Sequence, residues 1–363
     1  KVVSFDGSKN NRDILGSYYT QESFAFEITK KAIEDYFKEN SNVNVRIADY
    51  SCGGGAFLVS ACKVCLENEI VPRIYGYVDP VAVLITRFRL LKEAGMRAGD
   101  SCILLGNPLL RTPGEADILS IFKCAISGRF YNIQMGIVPR KDMDVVVEEK
   151  KFLHHFAQGA DIGTKAERDL FLQGSSQANK EYYFNFLDDY ESAKAAIRKD
   201  PCFDMSSCGE LNTYALFTEL CLNSLGETGR AGIIVKTSLV KMPVYSSFFR
   251  QLTESGALYE LYLFVNRKKI FCIDSREEFS VAFLKSKNKG QLRLALNLDN
   301  FEDFGNKEKI CISYQLLNKL NPETGMIPNV SSDEELEFLM SIYKNHKVFG
   351  LIYPECRLGD WYI

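Results

Sequence analysis

The sequence predicts an α/β protein with a mostly parallel central sheet, helices on both faces and a late antiparallel strand. Short apolar, β-branched runs alternate with segments of helical periodicity, the pattern of a sheet covered on both faces. The first such run, Val43–Ala48, ends at Gly53-Gly-Gly55, and Ala56–Leu66 resumes helical spacing, which reads as strand, glycine turn, helix. Near the other end, Leu258–Val265 and Glu278–Leu284 read as late strands that pair partly antiparallel.

Taken in order, residues 21–39 place Phe24, Ile28, Ala32 and Tyr36 on one face of an amphipathic helix. Ile74–Val78 is the second strand. It stops at Asp79-Pro80, and Val81–Ala94 follows as a helix with Val83, Phe88 and Leu91 along one face. Ile103–Leu105 reads as a third strand and Met143–Val147 as a fourth, before a helix at Tyr214–Leu225, a buried strand at Ala231–Val235 and a helix at Ser246–Ser255. Two stretches break the rhythm: 111–140, with Pro113, Gly114, Gly128, Gly136 and Pro139, and the polar 153–210. Irregular insertions in α/β enzymes are more often functional loops than packing elements. The expected organisation is an N-terminal helical segment (1–42), a core (43–320) carrying both insertions, and a C-terminal extension (321–363).

At 363 residues and 46% apolar content the chain can bury one dominant core. Its 44 basic and 47 acidic residues give a net charge of −3, so the chain as a whole does not attract a polyanion, and nucleic-acid contacts must be local or supplied from elsewhere. The 11 cysteines follow no regular framework and no signal-like N-terminal run is present, which predicts a cytoplasmic protein with reduced thiols. Cys62-x-x-Cys65 has no second pair at ligand spacing, so no metal site is expected. No apolar run reaches the roughly 18 residues of a membrane span.

A glycine turn between strand and helix brings backbone close to a ligand and aims helix N–H groups at it, although a tight βα connection alone also uses one. The spacing lacks the third glycine of the dinucleotide fingerprint and the Gly-Lys-Ser/Thr of the phosphate loop. Asp49-Tyr-Ser-Cys-Gly-Gly-Gly-Ala-Phe57 instead resembles the Asp-Pro-x-Cys-Gly-Ser-Gly-x-Phe motif of the adenine-N6 DNA methyltransferases of type I and type IIG restriction-modification systems. Gly16-Ser-Tyr-Tyr-Thr20 resembles their N-terminal Gly-x-Tyr-Tyr-Thr-Pro. Ile74–Val83 and Ile103–Leu110 resemble their second- and third-strand segments, and Leu211–Phe217, Gly229–Leu239 and Asn266–Phe271 follow the type IIG pattern.

The resemblance implies a Rossmann-like S-adenosylmethionine (SAM)-dependent methyltransferase fold and a SAM site formed by Tyr18, Tyr19, Thr20, Asp49, Cys52, Gly53, Gly55, Phe57, Asp79 and Asn107. It also implies double-stranded DNA as substrate, engaged through a target-recognition region or partner subunit outside this chain. The family's catalytic motif, Asn/Asp-Pro-Pro-aromatic, follows the fourth strand. Its acceptors pull on the two hydrogens of a flipped adenine's amino group and its ring stacks on the base. With the fourth strand at Asp142–Val147, Glu149 takes the place of the Asn, Lys150 and Lys151 those of the prolines, and Phe152 that of the aromatic residue. A longer acid and a softened loop predict impaired transfer. Asn107-Pro108 is a second match to the motif's first letters, assigned here to cofactor contact.

His154-His155 reads as a polar loop pair, Tyr182–Phe186 as packing or a base-stacking surface, and Arg267–Lys269 as a solvated turn or a phosphate contact. Three functions remain open: an active adenine methyltransferase, an inactive methyltransferase-fold subunit with a DNA-binding or assembly role, and a protein or RNA methyltransferase.

Overall fold

The amphipathic helix expected at the N-terminus is α1 (Glu22–Phe37), and Phe24, Ile28, Ala32 and Tyr36 are each at most 1% exposed. The structure is a computed structural model, and it describes residues 20–41, 44–78, 80–96, 101–105, 108–109, 131–137, 143, 145–156, 163–286, 290–328, 330 and 332–346. After α1 come β1 (Arg46–Asp49), α2 (Ala56–Glu67), β2 (Arg73–Val78), α3 (Pro80–Ala94), β3 (Ser101–Leu105) and β4 (Tyr131–Ile137). Three helices follow, α4 (Val145–Phe156), α5 (Lys165–Gly174) and α6 (Gln177–Lys199), and then α7 (Thr213–Asn223), β5 (Leu225–Lys236) and α8 (Ser246–Glu254). The remainder is β6 (Leu258–Val265), β7 (Glu278–Lys285), β8 (Leu292–Leu298), β9 (Ile310–Ile312), α9 (Tyr314–Leu320) and α10 (Asp333–Asn345).

The strands form one nine-stranded sheet in the order β3-β2-β1-β4-β5-β7-β6-β8-β9. Strands β1 to β5 pair parallel, whereas β7 runs antiparallel to both β5 and β6. From β1 the chain moves outward to β3, then returns across the sheet to place β4 on the other side of β1. The order therefore reverses between β1 and β4.

One face is covered by α1, α2 and α3, whose Phe24, Ile28, Leu58 and Leu90 share a core with Ile47, Ile74 and Val281. Helices α7 and α8 cover the other face, where Leu216, Phe248 and Leu252 pack with Ile233 and Leu261 and with Met326 and Leu336 of the C-terminal extension. Gly232 of β5 permits the close approach of α1, since a Cβ there would lie 3.0 Å from Ile28 Cγ2. Helix α3 turns differently from its expected face. Val83 is buried with Ala82, Thr86 and Leu90, but Phe88 and Leu91 are 64% and 63% exposed.

The fourth strand is also displaced. Val145–Val147 opens α4 rather than ending a strand, and β4 lies at Tyr131–Ile137, inside a stretch expected to be irregular. Its partners hold it in place: Ala48 of β1 pairs with Gln134, and Ile133, Gly136 and Ile137 pair with Arg230, Ile233 and Ile234 of β5. The second insertion is largely helical. Thr164 and Glu167 form a capping box that starts α5, and the Ser176 hydroxyl accepts from Asn179 N–H at the start of α6.

Candidate functional site

In open α/β sheets ligands bind outside the carboxyl ends of the strands where the strand order reverses. That position lies here between the ends of β1 and β4, at Asp49 and Ile137. Asp49 is 2% exposed and its Oδ1 accepts from the Ser51 backbone N–H at 2.9 Å. Burial pushes its carboxyl up to about 7, and the hydrogen bonds from Ser51 only partly offset that.

The turn that follows requires glycine. Gly53 and Gly55 have φ of 47° and 79°, and Gly55 N–H donates to Cys52 O at 2.7 Å. Gly55 is also the N-cap of α2, and with no side chain closing that cap the helix opens onto the end of β1. Cys52 and Phe57 are 5% and 3% exposed and pack inward; a Cβ on Gly76 of β2 would lie 2.9 Å from Cys52 Sγ.

Sequence reasoning missed the residues that hold the turn. Thr86, fully buried on α3, donates through Oγ1 to Gly53 O at 2.7 Å. Arg89, one turn on, donates to Gly54 O at 3.0 Å and pairs with Glu22 of α1 at 2.5 Å and Glu93 at 2.7 Å. The only signal available in the sequence was a hydroxyl on an otherwise apolar helix face. Of the other cofactor candidates, Thr20 is half-buried just before α1, whereas Tyr18, Tyr19, Asp79 and Asn107 lie outside the described residues.

Glu149, Lys150 and Phe152 lie on α4 and not on a loop after a strand. The Glu149 carboxylate accepts from the Tyr183 hydroxyl and lies 3.3 Å from Arg168 Nε. Burial, and then the Glu149 bond, raise the Tyr183 phenol. Lys150 is exposed. The Phe152 ring lies flat on Phe186 of α6, with centroids 4.2 Å apart and planes 8° apart. Asn266 also has a packing role: its amide accepts from Phe271 N–H and donates to Phe271 O and Asp274 O. Cys62 and Cys65 are buried in α2 with thiols pushed up to about 12. Among the described residues no group of three or more His, Cys, Asp or Glu could hold a metal, and no helix is long and apolar enough to cross a membrane.

No protein-family model matches the chain, and no curated protein matches it. Solved structures do. The structure of DrdV in complex with DNA superposes with a TM-score of 0.58 at 13% identity, covering 90% of this chain and 32% of that one. The type I restriction-modification system methyltransferase subunit from Streptococcus thermophilus gives 0.49 at 12% identity, covering 91% of this chain and 54% of that one. A putative class I SAM-dependent methyltransferase from Listeria monocytogenes gives 0.47 at 11% identity, covering 78% and 67%. The chain thus spans about half the length of the streptococcal subunit and a third of DrdV. The architecture, an α/β fold with a mostly parallel sheet covered by helices on both faces and a late antiparallel strand, is one that this chain shares with DrdV.

Proposed function

We propose that this chain is the methyltransferase-fold core of a DNA-directed restriction-modification protein, one that binds SAM beside Asp49 and has lost adenine-N6 transfer. The observation that carries this reading is the position of β4. In the family that the sequence resembles, Phe-Asp-Val-Val-Ile-Gly leads into Asn-Pro-Pro-aromatic; here Tyr131-Asn-Ile-Gln-Met-Gly136 leads into Ile137-Val138-Pro139-Arg140. Ile137 therefore takes the acceptor's place, and its hydrocarbon side chain cannot hold an amino hydrogen. In the sequence Arg140 stands where the family motif has its aromatic residue. Glu149 does not replace the acceptor, because its carboxylate is engaged by Tyr183 and Arg168.

The site fits the amino-acid end of SAM. A buried carboxylate held near 7 gains most from a neighbouring ammonium, and the open N-terminus of α2 favours a carboxylate. When bound, SAM supplies an electrophilic methyl group; this chain's residues would bind and orient it and exclude water. Thr20, Gly53 and Gly55 would line that end, and Tyr18, Tyr19, Asp79 and Asn107 would complete the pocket. DNA is the intended polymer by analogy with DrdV, reached through a recognition region or subunit beyond the 43–320 core, in the cytoplasm.

SAM-binding calorimetry run beside tritiated-methyl transfer to mixed-sequence duplex DNA tests both parts. Saturable binding without transfer is expected. Formation of N6-methyladenine would overturn the loss of transfer, and absence of binding would overturn the cofactor site.

A further inference from the structure

The end of the sheet opposite Asp49 concentrates positive charge. Arg230, level with Lys285 across β5 and β7, Lys285 at the end of β7, Arg293 near the start of β8 and Lys309 before β9 meet there with Lys31 and Lys38 from α1 and its C-cap. Arg230 and Lys285 are cross-strand partners, as are Glu260 and Arg293. These six cations gather there with the carboxylates of Glu34, Asp35, Glu39 and Glu260, and the exposed Glu227 and Glu308 neighbour Arg230 and Lys309 in the chain.

Three of these acids are taken up by particular partners. Glu260, 1% exposed, pairs with Lys31 at 3.1 Å, Arg293 at 2.6 Å and Lys309 at 3.2 Å. Asp35 pairs with Lys31 at 2.8 Å and Lys38 at 2.9 Å, and Glu39 pairs with Arg230. Among the described residues Lys285 has no carboxylate partner. Its ammonium lies 5.6 Å from the centroid of Tyr259, a ring that Arg230 and Lys31 also approach at 5.8 and 6.0 Å. Burial, and then repulsion from Arg230, lower the Lys285 pKa, although Glu39 opposes this. An anion would relieve that crowding. The side chains of Lys38, Arg293 and Lys309 beside it are 69%, 46% and 27% exposed.

We propose that this end of the sheet is a sequence-independent docking surface for the phosphate backbone of nucleic acid, centred on Lys285 with Lys38, Arg293 and Lys309 as its rim. Strand β6 separates β7 from β8, which puts the backbones carrying Lys285 and Arg293 about 10 Å apart. A single phosphate does not bridge that distance, but successive phosphates of a polymer do. Lysine is depleted in protein–protein interfaces, which depend on aromatic anchors, whereas lysine and arginine are the residues that neutralise phosphates. The surface lies away from the Asp49–Ile137 edge, so it adds a second contact to the DNA-directed reading, on which it rests.

The test is fluorescence anisotropy of a labelled mixed-sequence duplex, titrated with the whole chain between 50 and 200 mM salt. Lys285→Ala and Lys38→Ala each leave the Glu260 cluster intact. Each is expected to lower the salt slope by about one unit, a roughly threefold smaller loss of affinity across that salt range. Lys285→Arg should restore the slope, and Lys92→Ala on exposed α3 should leave it unchanged. Unchanged slope and affinity in Lys285→Ala and Lys38→Ala would overturn the surface while leaving the DNA-directed reading standing. Failure of the unaltered chain to bind duplex at 50 mM salt would also overturn the surface; it would leave the DNA-directed reading, whose recognition region lies beyond this core, to the SAM-binding and transfer measurements. Tighter binding of polyglutamate than of duplex, lost in the same variants, would make it a protein-docking face and also overturn the proposal.

Discussion

The Thr86 hydroxyl donates to the Gly53 carbonyl at 2.7 Å, and the same side chain fills the space that a Cβ on Gly55 would need, 2.9 Å from its Cγ2. The turn after β1 is thus clamped by a helix that begins only after β2. Gly55→Ala is expected to lose stability by at least the ~1–2 kcal/mol of a left-handed non-glycine residue, and to weaken SAM binding as the turn shifts. Chemical denaturation and calorimetry would measure both. Thr86→Ser removes the crowding methyl but keeps the hydroxyl, so it should recover part of the loss; a Gly55→Ala protein as stable as its parent would refute this geometry.

Asp49 gives a pH dependence of defined sign. Its folded carboxyl sits at about 7 against 3.8 for an ordinary aspartate, so its contribution to stability is present below about 3.8 and is lost as pH rises through 7. Asp49→Asn should therefore gain over its parent between pH 5 and pH 8, by at most about 3 kcal/mol. The same variant should lose SAM, whose affinity for the parent should rise as Asp49 ionises. Urea titrations at the two pH values check the first point, and a gain independent of pH would count against it.

Glu260 behaves in the opposite way. Burial raises its pKa, but attraction to Lys31, the Tyr262 hydrogen bond and then Arg293 and Lys309 outweigh that and leave it below the usual range. Its stabilisation is present above about 4.5 and is lost as pH falls through the lowered value. Glu260→Gln takes the carboxylate from Arg293 and Lys309 and leaves Lys31 with Asp35 alone, so a loss of about 3–5 kcal/mol at pH 7 is expected, shrinking in acid. Thermal melts at pH 7 and pH 4 would show it.

Phe152→Ala should act on folding. The ring is stacked between Phe186 and Phe156 and packs against the fully buried Leu153 and Tyr183. A loss of about 2–3 kcal/mol, confined to α4–α6, is expected, with faster proteolysis across 163–200. A stable Phe152→Ala protein that lost a measured transferase activity would return this residue to a catalytic role.

Replacing Ile137, Val138 and Arg140 together by Asn, Pro and Tyr should confer detectable N6-methyladenine formation, because it supplies the missing acceptor, the rigid carbonyl and the stacking ring. Restoring Asn-Pro-Pro at Glu149–Lys151 should confer none. The reverse pattern in a methyl-transfer assay would place the motif on α4 after all.

The sequence alone determined the strand–glycine turn–helix around Asp49 and the buried face of α1, because both rest on local periodicity and on backbone conformations that only glycine tolerates. The capping pair Thr164 and Glu167 was equally local and was legible, but the polarity of the surrounding stretch hid it. Where the fourth strand lies was decided only by tertiary structure. Val145–Val147 has the side chains of a strand yet begins a helix, whose Phe152 and Leu153 are held by α6. Tyr131–Ile137, interrupted by Asn132, Gln134 and Gly136, becomes a strand because β1 and β5 pair with it from either side. Strand formation depends on such neighbours more than on the segment's own residues, so pairing across the sheet fixed which residues stand beside Asp49.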